Sequence, residues 1–444
     1  MEIRDGFIVY TPPAPAASPG LEPATRGAWA REVEELLALY EGAPFSPVEG
    51  TAMQAPTPAR VVAERDGDVL TANKILKPDQ FPGIHRAEIA RDQPRIEGAP
   101  NYRALSVLDK NAEVSERTIH GTAQPTVSGI RGVLAQTGGK AVWTSLREEP
   151  VVYIHGQPFN VRDAEHVYVN EVNPGASAEQ VEAVEDRLKA DVLREAARNG
   201  GAMLIHEEHA DGTLAPVRVQ VDEKSVQTSR EVFDGLRKEG FDVDYARIPI
   251  TDEKRPDDHD FDAVVDRLKD VPPDANIVFN CHQGRGRTTA AMVTAGLLRR
   301  AQADAPGKLT DSPPVREDIR EQGGYQPREY RTILSLCKLL ENEPATPEQA
   351  EKVVHDYSGL RDLRDSISKY RAQAHAAATE DARTEARERG RAYLQRYFYL
   401  SAFDAYAREQ APTGFSEPFS KWMHQRPELQ NILRNSESAL GLAG

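Results

Sequence analysis

The spacing of apolar positions divides the chain into short strands and amphipathic helices. Ile277 to Phe279 is a continuous apolar run, the pattern of a strand buried on both faces, and Thr289 to Leu298 follows as an Ala-rich buried helix. Upstream, Tyr102 to Val107, Lys140 to Trp143, Gly201 to Glu207 and Asp242 to Ile250 have strand character, while Val151 to Ile154 and Gly156 to Val161 form a hairpin. Thr126 is placed to cap a helix over Ser128 to Gln136, and Thr228 with Glu231 makes a capping box before Ser229 to Glu239. Ser177 to Asn199 is a long helix with Val181, Val184, Leu188, Val192 and Leu193 as its apolar face, and its many charges are expected to be a solvated surface. Further helices are expected over Phe261 to Lys269, Tyr330 to Leu340, Glu348 to Ala376 and Asp381 to Glu409. Tyr397, Phe398, Tyr399, Leu400, Phe403 and Tyr406 form an aromatic packing surface. Strands alternating with helices predict an α/β protein with an open central sheet.

The first part of the chain is different. Residues 11 to 21 are rich in proline and alanine and read as linker, Trp29 to Tyr40 as a short amphipathic helix, and Ala59 to Ala72 as a hairpin around Asp66-Gly67-Asp68. Three regions are expected: an arm over 1–74, a catalytic domain over 75–345 with a hairpin insertion near 143–165, and a helical extension over 346–444 packed on that domain. With 444 residues and a formal charge of -15, general affinity for nucleic acid or membrane surfaces is not expected. Only Cys281 and Cys337 are present, which is no disulfide framework, and Cys337 lies in an apolar helical stripe as core. The start lacks the design of a signal peptide and no apolar run approaches membrane-spanning length, so a cytoplasmic protein is the expectation, with release by a signal-free route left open.

The chemistry concentrates where the central strand ends. Asn280-Cys281-His282-Gln283-Gly284-Arg285-Gly286-Arg287-Thr288 joins a strand to a helix N-terminus through two glycines. Such a turn gathers backbone N–H groups into an anion site, and the helix terminus and nearby arginines favour a cysteine thiolate, the nucleophilic form. Gly284 and Gly286 let the backbone turn, Arg287 offers a planar fork for two phosphoryl oxygens, and the Thr288 hydroxyl is placed to bond the cysteine sulfur as it departs. The loop lacks the Lys-Ser/Thr ending of a nucleotide-binding loop. His206 and His209, with Glu207 and Glu208 between them, have no third ligand cluster at convincing spacing, so no metal and no cofactor are expected. After Asp242 to Ile250 comes Thr251-Asp252-Glu253-Lys254-Arg255-Pro256; Asp252 has the chemistry of a general acid, with Glu253 as its rival, while Asp257, Asp258 and Asp260 read as helix-start acids. Arg147 closes an earlier strand, either as a site residue or in a salt bridge with Glu148 or Glu149.

Cys281 to Arg287 resembles the signature loop of the cysteine-dependent phosphatases, a cysteine and an arginine separated by five residues. Within them the chain is similar to the paladin-like proteins and the protein-tyrosine-phosphatase-like inositol phosphatases, or cysteine phytases, over about residues 75 to 430. The likeness is carried by Ile119 to Thr126, Trp143 to Pro158, Ser225 to Thr228, Asp244 to Lys254 and the loop, with a weaker match over Tyr393 to Tyr406. It implies a tyrosine-phosphatase-like sheet, Cys281 as nucleophile, Asp252 as acid, and a phosphorylated small molecule, of the inositol phosphate class, as substrate. His282, Gln283, Arg285, Lys254, Arg255 and Arg147 are then candidates for holding its phosphates. Animal paladins carry two such units in a longer chain. Asn280 departs from the commonest pattern, which has histidine before the nucleophile, so a non-catalytic phosphate-binding scaffold stands as one alternative and a tyrosine phosphatase as another.

Overall fold

The computed structural model describes residues 65–304 and 363–434, apart from 66, 82–83, 85–93, 107–116, 139, 171–172, 211 and 253–256, together with residues 2–4 and 7–9. Two compact units divide at residue 54. In the first, β1 (Glu2–Arg4) pairs antiparallel with β2 (Phe7–Val9). The helices expected over Trp29 to Tyr40 and Tyr330 to Leu340, with Cys337, lie outside the described residues, as do Glu253, Lys254 and Arg255.

In the second unit the elements run β3 (Lys74–Pro78), β4 (Arg103–Ser106), β5 (Arg117–Thr122), α1 (Val127–Thr137), β6 (Ala141–Arg147), β7 (Val151–Ile154), β8 (Gln157–Asp163) and α2 (Ala178–Arg198). Then come β9 (Ala202–Glu208), β10 (Leu214–Gln220), β11 (Val226–Thr228), α3 (Ser229–Lys238), β12 (Val243–Ile250), α4 (Asp258–Leu268), β13 (Asn276–Asn280) and α5 (Gly286–Asp304). The C-terminal part is α6 (Leu363–Ala376), α7 (Glu380–Gln410), α8 (Phe419–His424) and α9 (Pro427–Arg434).

The apolar run closed by a cysteine becomes the middle strand of a five-stranded sheet ordered β12-β6-β13-β5-β4. All pairs are parallel except β4 with β5. Alternation on β13 serves both faces: Ile277 and Phe279 join the cluster with α4, α5, α7 and α8, whereas Val278 joins Trp143, Phe233 and α1 on the other side. Asn280 lies opposite both Thr122 and Ser145, so the carboxyl ends of β5, β6 and β13 finish together. Loops at that edge of a parallel sheet are where an open α/β fold collects ligands. The fold is α/β as the sequence implies, and the expected caps form: Thr126 accepts from Gly129 N, and Thr228 and Glu231 complete their box.

A four-stranded antiparallel sheet, β11-β7-β8-β3, stands beside the main one, with β9–β10 as a separate hairpin. The hairpin expected over Ala59 to Ala72 lies largely outside the described residues; within the described part Gly67 N donates to Leu70 O in a turn. One expectation needs correction here: α2 is not lined only by solvated charge, because Glu185, Asp191 and Glu195 are buried. Glu185 accepts from Val151 N, Ser229 N and Arg247 Nη2, and Asp191 accepts from Val69 N and Leu70 N. These carboxylates satisfy backbone donors of other elements, a function that helical periodicity cannot reveal.

Helices α7 and α8 cover the α4–α5 face. Phe261, Phe403 and Phe419 pack with centroids 5.0 to 5.5 Å apart, and Trp422 stacks on Phe419. Such ring pairs add about 0.5–1.5 kcal/mol each beyond buried area. The aromatic surface expected around Tyr397 to Tyr406 is this interface, continuous with the core beneath the cysteine.

Candidate active site

The turn after β13 is shaped by what its carbonyls do. His282 O accepts from Gln124 N at 2.9 Å, Gln283 O from Asn101 Nδ2 at 2.9 Å, Gly284 O from Arg103 Nη1 at 2.8 Å, and Arg285 O from Thr289 N at 3.1 Å. In a trans peptide the next N–H points opposite its carbonyl, so tying four carbonyls outward turns the following N–H groups toward the inside of the loop. Gly284 alone demands glycine: its φ is +69°, and a Cβ would lie 2.4 Å from Ala123 N. At Gly286 a Cβ would meet only ordinary contacts, so the requirement expected there is absent. Cys281 sits at the base, 3% exposed, and the Thr288 hydroxyl is buried with no hydrogen-bond partner.

Asn280 is engaged elsewhere. Its Oδ1 accepts from Trp143 Nε1 at 2.8 Å and its Nδ2 donates to Gln124 Oε1 at 3.0 Å, while Gln124 Nε2 donates to Tyr153. Gln124 thus braces the loop with backbone and side chain, which accounts for its place among the residues that carried the resemblance.

Above the cysteine lies a chain of buried charges. Arg287 Nη1 and Nη2 hold the two oxygens of Glu149 at 3.0 and 3.1 Å, and Nη1 also donates to Ile250 O. Arg287 Nε lies 3.3 Å from Asp252 Oδ1. With its outer edge committed to Glu149, the guanidinium has its Nε side left to meet an oxyanion, where Asp252 now stands. Asp252 Oδ2 accepts from Asn170 Nδ2. Glu149 also accepts from Arg147 Nε at 3.1 Å; Arg147 Nη1 donates to Asp79 at 2.7 Å; Asp79 accepts from Asn160, and Asn160 from Arg162. Burial pushes the Glu149 carboxyl up, but Arg287 and Arg147 outweigh it and hold it well below the usual range. For Asp79 burial prevails over Arg147 and the carboxyl is raised.

Of the candidates, Cys281, Arg287, Thr288 and Asp252 meet at this edge of the sheet, with Gly284, Arg285 and Gly286 in the turn. Arg147 is fully enclosed, paired with Asp79 and Glu149, so it reaches a ligand only through the groups it holds. His282 does not supply the expected positive charge: burial first, then Arg147 and Arg162, pushes it well below the ordinary histidine value, and its ring faces Phe81. Asp257 caps α4, as its place before the helix predicts. Among the described residues no group of three or more His, Cys, Asp or Glu is disposed to hold a metal.

Several participants escaped the sequence. Arg103 arrives from β4, buried, with burial pushing it down to about 9 and the cysteine opposing that shift. Arg396 arrives from α7: its guanidinium lies against Gly286, and its charge acts on Tyr393, Asp252 and Cys281. An aromatic ring also stands by the turn: Phe81 lies with its centroid 6.4 Å from that of His282, and Lys77 Nζ lies 5.2 Å from Phe81 and 5.5 Å from Tyr168. Only the "PNYR" stretch around Arg103 and the solitary arginine among the α7 aromatics were available as signals.

Residues 144–299 match the family described as protein-tyrosine-phosphatase-like phytase, inositol hexakisphosphate. Paladin from Gallus gallus is 28% identical over 329 residues, covering 70% of this chain and 36% of that protein. Paladin from Homo sapiens is 28% identical over 369 residues, covering 78% and 39%. The chain thus spans well under half the length of these curated relatives. Among solved structures, the tandemly repeated protein-tyrosine-phosphatase-like phytase from Mitsuokella multacida is similar at 17% identity with a TM-score of 0.49, over 80% of this chain and 48% of that one.

Proposed function

We propose that the chain, which resembles the protein-tyrosine-phosphatase-like phytases over residues 144–299 and the paladins at 28% identity, is a member of that family and a metal-independent phosphomonoesterase working through a phosphocysteine. The observation that carries this reading is the turn around Cys281, its carbonyls tied outward, with the buried Arg287 fixed above it by Glu149 and within 3.3 Å of Asp252. The Cys281 thiolate attacks phosphorus in line with the leaving oxygen; the S–P bond forms as the P–O bond breaks, and Asp252 gives its proton to the departing oxygen. Loop N–H groups and Arg287 stabilise the equatorial oxygens. Water then attacks phosphorus, Asp252 takes its proton, and the sulfur leaves as thiolate with Thr288 donating to it.

The substrate class we propose is inositol polyphosphates or the corresponding lipid head groups, which the matched family's description supports. Each phosphate beyond the reacting one needs its own cation; Arg285, Lys254 and Arg255 are assigned that part. The test is release of phosphate from inositol hexakisphosphate in the presence of a chelator. Cys281→Ser is expected to abolish it while orthovanadate still binds, and turnover surviving in that variant sinks the cysteine mechanism. A phosphotyrosine peptide is expected to be the poorer substrate, and raised salt to weaken the polyphosphate more. One observation favours a second reading, a phosphate-binding scaffold: the Asn280 amide is engaged by Trp143 and Gln124. Absence of turnover with retained vanadate binding in the parental protein selects it.

A further inference from the structure

Asp252 is gripped from two sides, and only one grip comes from the signature turn. Arg287 Nε faces its Oδ1 at 3.3 Å, while its Oδ2 accepts from Nδ2 of Asn170. Asn170 lies 82 residues earlier, in the segment after β8, directly beyond Tyr168 and Val169, which are 47% and 64% exposed. The smaller sheet therefore delivers a neutral amide to an acid carried by the main one. The other end of that amide, Asn170 Oδ1, is buried and has no hydrogen-bond partner. Leaving such an acceptor buried and unsatisfied forfeits its hydration without a compensating bond, a cost that a simple surface loop has no reason to bear.

We propose that Asn170 is a positioning residue for proton transfer by Asp252, fixing the carboxyl group and holding the carboxylate that remains once the proton has gone. The inference rests on the assignment of Asp252 as the acid. Asn170 donates to one carboxyl oxygen, and the Arg287 guanidinium stands beside the other as an ion pair. An incoming phosphoryl group takes the Nε side of Arg287, and Asp252 loses that partner while Asn170 remains. As the S–P bond forms and the P–O bond breaks, the electron pair of the P–O bond goes to the leaving oxygen, the Asp252 proton closes it as a hydroxyl, and the new carboxylate accepts the Asn170 N–H. A half-turn of the amide presents Oδ1 to the protonated acid, so one side chain serves both protonation states. That use accounts for the acceptor that is otherwise orphaned.

The experiment is kcat/KM of the full chain against aryl and alkyl phosphates of increasing leaving-group pKa. Asn170→Ala is expected to lose about tenfold or more with the poorest leaving groups and little with an activated aryl phosphate, because only poor leaving groups need the proton. Asn170→Ser, which keeps a donor, is expected to recover part of the loss, and its thermal melt checks that the fold is retained. In an Asp252→Asn background, Asn170→Ala is expected to add nothing. A uniform loss across the series, or a fully additive loss in the double variant, overturns the inference. If Asp252→Asn steepens the leaving-group dependence and Asn170→Ala does not, the acid stands and Asn170 falls. If Asp252→Asn leaves the dependence unchanged, or the parental protein turns over nothing, the underlying reading has failed and this inference with it.

Discussion

Around Cys281 the holding groups are mostly backbone groups and neutral amides, with Gln124 reaching in after β5 and Asn101 from before β4, joined by the Arg103 guanidinium; around Arg287 and Asp252 they are mostly buried ions, drawn from β8, α5 and the ends of β3 and β6, joined by the Asn170 amide. Neutral hydrogen bonds need alignment but carry small individual penalties, so the turn tolerates loss of single partners. Buried ions are different: removing one partner strands another charge in a low dielectric, and breaking such a pair costs about 3–5 kcal/mol. One side of the site is thus fixed by local geometry and the other by a balance of charges.

The comparison breaks most sharply at Arg287. Arg287→Lys keeps the charge but loses the planar fork that meets Glu149 at 3.0 and 3.1 Å while turning Nε to the site. Removal of one aligned donor to a developing oxyanion typically costs about 10²–10³ in kcat, and here more than one is lost, so a fall of about 10³ or greater is expected in steady-state assays. Glu149→Gln comes next. It removes the carboxylate that Arg287 and Arg147 share, leaving each with one carboxylate partner, and a drop of about 3–5 kcal/mol in unfolding free energy is expected by denaturant titration, with kcat reduced because Nε is no longer aimed. If Glu149→Gln lowers neither stability nor kcat, the charged side is no more demanding than the neutral one.

The cysteine side was legible because its rules are short-range. An apolar run, a cysteine, a glycine with φ of +69° and a helix start all lie within a dozen residues, and the strand, turn and helix follow from them. The charged side was legible only at its ends, Asp252 and Arg287. Asp79, Asn160, Arg162 and Asn170 contact the site across the chain, and nothing in their immediate neighbours distinguishes them from surface polar residues. The same blindness applied to α2, where Glu185 falls on a charged helix yet is buried against Arg247. Arg147 had both readings open, and the pairing with Glu149 is the one the structure contains.

Arg396 sharpens the comparison with a smaller effect. Burial pushes its guanidinium down, with Tyr393, Asp252 and Cys281 opposing that shift, so the charge is held there against its own preference. Arg396→Gln is therefore expected to leave the melting temperature unchanged or raised, while kcat/KM falls about tenfold, roughly 1.4 kcal/mol. A matched loss of both stability and rate makes Arg396 a packing residue of the α5–α7 contact.

The smallest expected effect separates the two sides by pH. His120 is a residue of β5 in the main sheet, its ring between Tyr102 OH and Asn276 Oδ1, and burial pushes it down to about 4, opposed by Asn276. His206 is also pushed down to about 4 by burial and Arg65, and His282 well below its ordinary value by burial, Arg147 and Arg162. A histidine whose folded value is depressed binds its proton more readily when unfolded. Its contribution is present above the unfolded value of about 6.5 and is lost as pH falls from there toward the folded one. Glu149, also depressed, adds loss of the same sign only below the ordinary carboxylate range, while Asp79 and Glu148, raised chiefly by burial, act in the opposite sense above that range and offset part of the fall. Between about pH 6.5 and 4.5 three histidines act against these two carboxylates, and the melting temperature is expected to fall through that window after a plateau above it. His120→Gln, which can keep a donor toward Asn276, is expected to flatten the fall without moving the activity profile, because His120 touches neither Arg287 nor Asp252. An unchanged slope in that variant assigns the acid sensitivity to His206 and His282 instead, and a shifted activity profile joins the two sides that the geometry keeps apart.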